Sequence, residues 1–327
     1  ALMAVGLAVF DPSVAAPPGP PGPPPDKTNS YQVHNLVSLA PPAGMIAADN
    51  HDANLQNAWG VAFNPAGFVW VVDNGTGKST LYDGKGNLSP PPTATPPGPL
   101  VVTIPASNPG DTGSPTGITF NASNDFVVSN GSTSGVAKFI FVSEDGMISG
   151  WAPNVDFTNA LKATVTAGAV YKGVAIAGNG GDHFRLYAAD FIGKKIDISH
   201  DQFKPMVIAG AFVDPGVPGD YGPFNVMNIQ GNLYVSWAKT QQGSDDEAHG
   251  PGLGFVSVFD ADGMLLMRHD GKKNFNAPWG MALAPQGFGK FSNNVLVANF
   301  GEGKINAFDP QTGKYNGQLK TPDGKTL

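Results

Sequence analysis

The chain contains no cysteine. Disulfides, zinc–thiolate centres and a thiol nucleophile are therefore excluded. Charge is scarce as well. Only 14% of the residues are Asp, Glu, Lys or Arg, and their balance is a net −7. Binding to phosphate needs a basic face, so nucleic acid is not an expected partner. The one apolar N-terminal run, Ala1–Phe10, is too short to cross a bilayer, and no transmembrane segment is expected. Catalytic motifs are missing too. "GSTSG" (131–135) puts Thr133 where a nucleophile elbow needs Ser. "NGTGKST" (74–80) lacks the earlier glycine of a phosphate loop, because position 72 is Val. "GPGLGF" (250–255) has no βαβ unit around it. No two of the six histidines stand at metal-ligand spacing.

Turn formers and apolar residues fill the space. There are 43 glycines and 30 prolines, and 41% of the residues are hydrophobic. Low charge with many turn formers predicts an all-β chain of short strands. A repeat then sets the architecture. "WGVAF", "TGITF", "KGVAI", "FNVMNI" and "WGMAL" are anchored at Gly60, Gly117, Gly173, Asn225 and Gly280, with spacings of 57, 56, 52 and 55 residues. A second strand follows each ("FVWVVDN", "DFVVSN", "RLYAAD", "NLYVSW", "NVLVAN"), then a third ("KSTLYD", "VAKFIFV", "KKIDIS", "GFVSVFD", "KINAFD"). Most third strands run into Asp/Gly turn signals, and a more variable fourth strand comes after. Four strands per repeat, with glycine on the innermost strand, predict a β-propeller of four-stranded blades with five clear repeats.

One period before Gly60 lies Gly6, inside "AVGLAVF". Val5, Gly6, Leu7, Ala8, Val9 and Phe10 therefore read as the inner strand of an incomplete sixth blade, supplied in cis or by a neighbouring subunit. "SYQVHNLVSL" (30–39) reads as the outer strand of that blade. A secretory-signal remnant is the competing reading of residues 1–16, although no basic segment precedes it. Residues 17–29 form a Pro/Gly-rich spacer of polyproline II character, and residues 30–327 the propeller.

"NLQNAWGVAFNP" (54–65), "GPGLGFVSVFDADGMLLMR" (250–268) and "NAPWGMALAPQGFGKFSNNVLVANFGEGKINAFDPQTGKYNGQL" (276–319) resemble an uncharacterised family of secreted bacterial six-bladed β-propeller proteins with NHL-like repeats. The resemblance covers roughly residues 31–327. It implies the NHL-like propeller fold and export, hence an extracellular or cell-surface location. It implies no activity. Proteins of that kind continue into a further "WGL" strand that closes the ring.

In a propeller, the loops entering the inner strands and those leaving the second strands share one face, where function usually sits. On this chain that face is expected to carry Asn57, Trp59, Thr116, Lys172, Asn225 and Trp279, joined by Asp73, Asn74, Asn130, Asp190, Trp237 and Asn299. A ring of Asn and Asp oxygens suits calcium, the one cofactor the sequence suggests. The same residues also suit turns, which they close through side chain–backbone bonds. The long loop Lys239–Gly252 gathers Asp245, Asp246, Glu247 and His249, a second place for a metal. Three functions remain open on this reading. The favoured one is a non-catalytic extracellular scaffold, a head-to-tail homo-oligomer that forms a filament by N-terminal donor-strand exchange. The alternatives are a calcium-dependent propeller hydrolase or lyase using Asp190 and Asn225, and a glycan- or peptide-binding module using the tryptophans.

Overall fold

The computed structural model describes residues 28–39, 48–65, 67–90, 98–181 and 183–327. It is a five-bladed β-propeller of four-stranded antiparallel sheets, with no α-helix among the described residues. No described helix is long and apolar enough to cross a membrane. Blade 1 consists of Ala58–Phe63, Val69–Asp73, Lys78–Tyr82 and Val101–Thr103, in that order from the axis outward. Blade 2 runs Pro115–Phe120, Phe139–Ser143, Met147–Trp151 and Leu161–Val165. Blades 3, 4 and 5 begin with Tyr171–Gly178, Tyr221–Ile229 and Pro278–Leu283. The third strands of blades 1, 4 and 5 end in Asp-closed turns. Asp83, Asp260 and Asp309 each accept two or more backbone N–H bonds from the turn that follows.

The anchors work as the repeat predicts. A Cβ on Gly60 would lie 2.8 Å from the Thr116 carbonyl oxygen, one on Gly117 2.9 Å from the Val174 nitrogen, and one on Gly173 2.9 Å from the Asn225 Cα. Each of these three anchors faces the next blade's inner strand at backbone contact, which only glycine allows. Alternate residues then build the walls between blades. Trp70 of blade 1 stacks on Phe139 of blade 2 at 4.1 Å, both fully buried.

Three expectations need correction. "DFVVSN" is not the second strand of blade 2. Val127–Ser129 pairs with Ser134–Val136 as an extra hairpin, and Phe139–Ser143 takes the second-strand position. The hairpin displaces the reading because its apolar alternation matches that of a blade strand. No sixth blade is seen among the described residues, and residues 30–39 do not form its outer strand. They form a strap instead. Asn29 Nδ2 donates to the Gln318 carbonyl and Tyr31 N–H to the Lys320 carbonyl, while the Tyr31 ring stacks on Phe288 at 5.0 Å. Further along, Val37–Ser38 pairs in parallel with Asn50–His51 beside blade 1. The strap thus links the outer parts of blades 5 and 1. The proposed donor residues Val5, Gly6, Leu7, Ala8, Val9 and Phe10 lie outside the described residues.

Candidate functional site at the propeller axis

The residue before each anchor lies on an inner strand. These residues are Trp59, Thr116, Lys172, Phe224 and Trp279. Trp59 reaches across and meets Trp279 edge-on at 5.5 Å, Phe224 edge-on at 6.1 Å and Phe300 at 5.1 Å. Phe191 closes on Phe224 at 5.4 Å. Trp59, Trp279, Phe224 and Phe191, with Ala238 and Ala277, form one apolar cluster at one end of the axis, and Phe300 lies against it. Phe300 is 47% exposed, so the plug presents an aromatic surface to solvent.

A polar chain lies beside the plug. Lys172 is fully buried, and its Nζ donates to Glu144 Oε1 at 2.5 Å. The same ammonium stands 5.2 Å from the Trp59 ring centre, a cation–π distance. Glu144 Oε2 accepts from Asn74 Nδ2, and Asn74 Oδ1 accepts from Asn57 Nδ2. Trp279 Nε1 donates to the Lys172 carbonyl, and Asn225 Nδ2 donates to the Trp279 carbonyl. Thr116 Oγ1 donates to the Tyr171 carbonyl at 2.6 Å. The buried cation, the amides and the hydroxyl are thus paired within the protein. Trp59 Nε1 is the exception in this group, buried and without a partner among the described residues.

Seven of the expected face residues therefore belong to one assembly: Asn57, Trp59, Asn74, Thr116, Lys172, Asn225 and Trp279. Asp190 stands apart, because its Oδ1 accepts from the Val170 and Gly193 amides and closes a turn. Asn130 sits at the tip of the extra hairpin, where Oδ1 accepts from Ser132 and Thr133. Trp237 lies in the wall between blades 3 and 4, bonded to Ser257. Asp73 is fully buried, accepts from Thr80 Oγ1 at 2.8 Å, and leaves Oδ1 without a partner among the described residues. Burial pushes its carboxyl up to about 8, the neighbouring Asp52 adds to this, and Thr80 and Lys78 oppose it. Asn299 bonds to the Asn274 carbonyl and to Glu302.

The acidic loop does not gather its side chains. Asp246 accepts from Ser244, Glu247 pairs with His249 at 2.7 Å, and Asp245 lies near Lys194 on the rim of a shallow surface depression. Among the described residues, no three His, Asp or Glu side chains come together as ligands of one ion.

The repeat pattern does not point to Glu144 or Phe224. Glu144 follows the true second strand of blade 2, so the hairpin conceals it in the sequence. Phe224 emerges once blade 4 is aligned one residue before its anchor, whereas the expected face carries the anchor Asn225 itself.

The blades define the class of protein, a β-propeller. Within that class, the chain matches the uncharacterized protein L690 of Acanthamoeba polyphaga mimivirus at 34% identity over 312 residues, 91% of this chain and 76% of that protein. It matches protein R648 of the same virus at 31% identity over 287 residues, 85% and 67% of the two chains. The chain belongs to the family of these proteins. These relatives are viral, which corrects the expectation of bacterial ones. No family model matches. Among solved structures, virginiamycin B lyase from Staphylococcus aureus is similar at a TM-score of 0.46 and 11% identity, over 79% of this chain and 70% of that one. A protein from Lactobacillus plantarum is similar at 0.48 and 13%, over 83% and 72%. At these values the likenesses carry nothing about chemistry.

Proposed function

We propose that the protein is a non-catalytic scaffold propeller. It works outside the cell or at a surface and assembles head-to-tail by accepting an apolar strand into the flank between blades 5 and 1. The observation that carries this is that the succession of described blades stops at blade 5. Inner strands lie side by side from blade 1 through blade 5, and no described strand follows. The axial plug supports the non-catalytic part, because its buried ammonium, amides and Thr116 hydroxyl are consumed by internal bonds. The donor in this reading is the N-terminal apolar segment of residues 1–16, delivered across the proline spacer. The test is negative-stain microscopy with mass determination on the full chain and on a chain lacking residues 1–16. Fibres from the first and monomers from the second support the proposal. Fibres from both would remove the N-terminus as donor. Monomers from both would leave a free-standing propeller.

A further inference from the structure

We infer that Asn130 is the acceptor of an N-linked glycan, presented by the extra hairpin of blade 2. This rests on the extracellular reading above, because the sugar donor, a lipid-pyrophosphate oligosaccharide, is met on the route of export.

Four Asn-X-Ser/Thr triplets occur in the chain, at 74–76, 87–89, 121–123 and 130–132, none with proline in the middle. Such a triplet serves as an acceptor on a surface loop. In the transfer, Asn Nδ2 forms a bond to the anomeric carbon of the sugar, the lipid pyrophosphate leaves, and the amide gives up one proton. The modified nitrogen keeps a single hydrogen, and the glycan must stand in solvent. These two demands separate the four sites.

Asn121 fails both. It is 1% exposed, and its Nδ2 donates to the Asp125 carbonyl at 3.0 Å and to the Ala137 carbonyl at 2.9 Å. A sugar there would remove one of those bonds and has no room, so a chain modified at Asn121 does not reach this fold. Asn74 Nδ2 is held by Glu144 Oε2 at 2.9 Å, within the axial polar chain. Asn87 is exposed, but its Nδ2 donates to Asp83 Oδ2 at 2.9 Å, and Ser89 of its triplet is buried. Asn130 meets both demands. Residues 129–134 are all exposed. Its Oδ1 accepts from the Ser132 and Thr133 amides at 3.0 and 2.9 Å, while its Nδ2 makes only a 3.4 Å contact with the Val155 carbonyl. The turn therefore uses the oxygen of the side chain and spares the nitrogen.

The hairpin under Asn130 is firmly seated. It lies between the first and second strands of blade 2, and no other blade carries such a hairpin among the described residues. At its base Phe126 is fully buried at a φ of 63° and meets Phe203 edge-on at 5.2 Å. A bulky residue keeps left-handed backbone only where packing holds it there. Val128 and Ala137 join the same core cluster. A packed stem with an exposed polar tip suits the display of a bulky, solvated group.

The test is glycopeptide mass spectrometry, before and after enzymatic release of N-glycans, on the protein isolated from its own source. Asn130→Gln and Ser132→Ala, produced in the same source, are compared with the wild type, and cell fractionation locates the protein. Ser132 enters the Asn130 turn through its backbone N–H, so Ser132→Ala removes the hydroxyl of the triplet and keeps the turn. The expected result is an exported protein with a glycan on Asn130, none on Asn74 or Asn121, and loss of the Asn130 glycan in both variants. Exported protein bare at Asn130 would overturn the inference and leave the extracellular reading standing. Protein retained inside the cell and bare at Asn130 would overturn both. A glycan on Asn121 of the folded protein, or one on Asn130 that persists in Ser132→Ala, would also overturn the inference.

Discussion

Replacing Asp73 by Asn should change how stability depends on pH, and the structure sets the sign. Asp73 ends the second strand of blade 1, fully buried, with one oxygen bonded to Thr80 and the other without a partner among the described residues. The Tyr82 hydroxyl is bonded to Asp52, whose charge adds to the penalty on an ionised Asp73. The folded protein therefore holds the Asp73 proton up to about 8, whereas the unfolded chain releases it near 3.8. Between those values the folded state binds more protons. Stability falls as pH rises through this window, by about 1.4 kcal/mol per unit. At pH 7 the accumulated cost is about 4 kcal/mol, an upper figure because the unfolded chain is not fully solvated. The amide of the Asp73→Asn variant does not titrate in either state, so the substitution removes this slope. The assay is urea unfolding of both proteins from pH 5 to 9. The difference between them should widen by about 1.4 kcal/mol per unit up to pH 8 and then level off. Parallel profiles would refute a neutral buried Asp73.

His269 gives the opposite sign. It is 3% exposed, packed between Tyr234 and Phe308, and burial holds its imidazole down to about 4 despite Asp309. Stability should fall as pH drops from 6.5 to 4, by about 3 kcal/mol, and His269→Phe should abolish that loss in the same urea series. Glu144→Gln should cost about 3 kcal/mol, because it strands the buried Lys172 ammonium, and Lys172→Met in the same chain should recover part of it. Denaturant midpoints of the two variants and their combination decide this. Gly117→Ala should cost about 1–3 kcal/mol by overpacking against Val142 and Val174, while Gly280→Ala should leave the monomer's melting temperature unchanged.

The blades are legible in the sequence because crowding at the axis forces a small residue at the same place in each repeat. Gly60, Gly117 and Gly173 carry that signal, and Asn225 and Gly280 fit its frame. The extra hairpin at Val127–Val136 is not legible, because a two-stranded excursion alternates apolar and polar residues as a blade strand does. That one displacement moves Asn130 off the face and conceals Glu144. Trp59 and Trp279 are visible as face residues, but their contact is not. It requires side chains from blades 1 and 5 to meet across the axis, which no local spacing encodes. Asp73 and Asp190 hold equivalent positions at second-strand ends. One accepts from Thr80 and the other from backbone amides. The rotamer that separates them depends on packing beyond the repeat.

Occupation of the flank between blades 5 and 1 by a strand from another copy is the step on which the assembly reading depends. Electron cryomicroscopy of the assembled full-length protein tests it most directly. The expected result is density for one short strand between blades 5 and 1, continuous with the spacer of the adjacent particle. Separate particles, or an assembly with that flank empty, would contradict it.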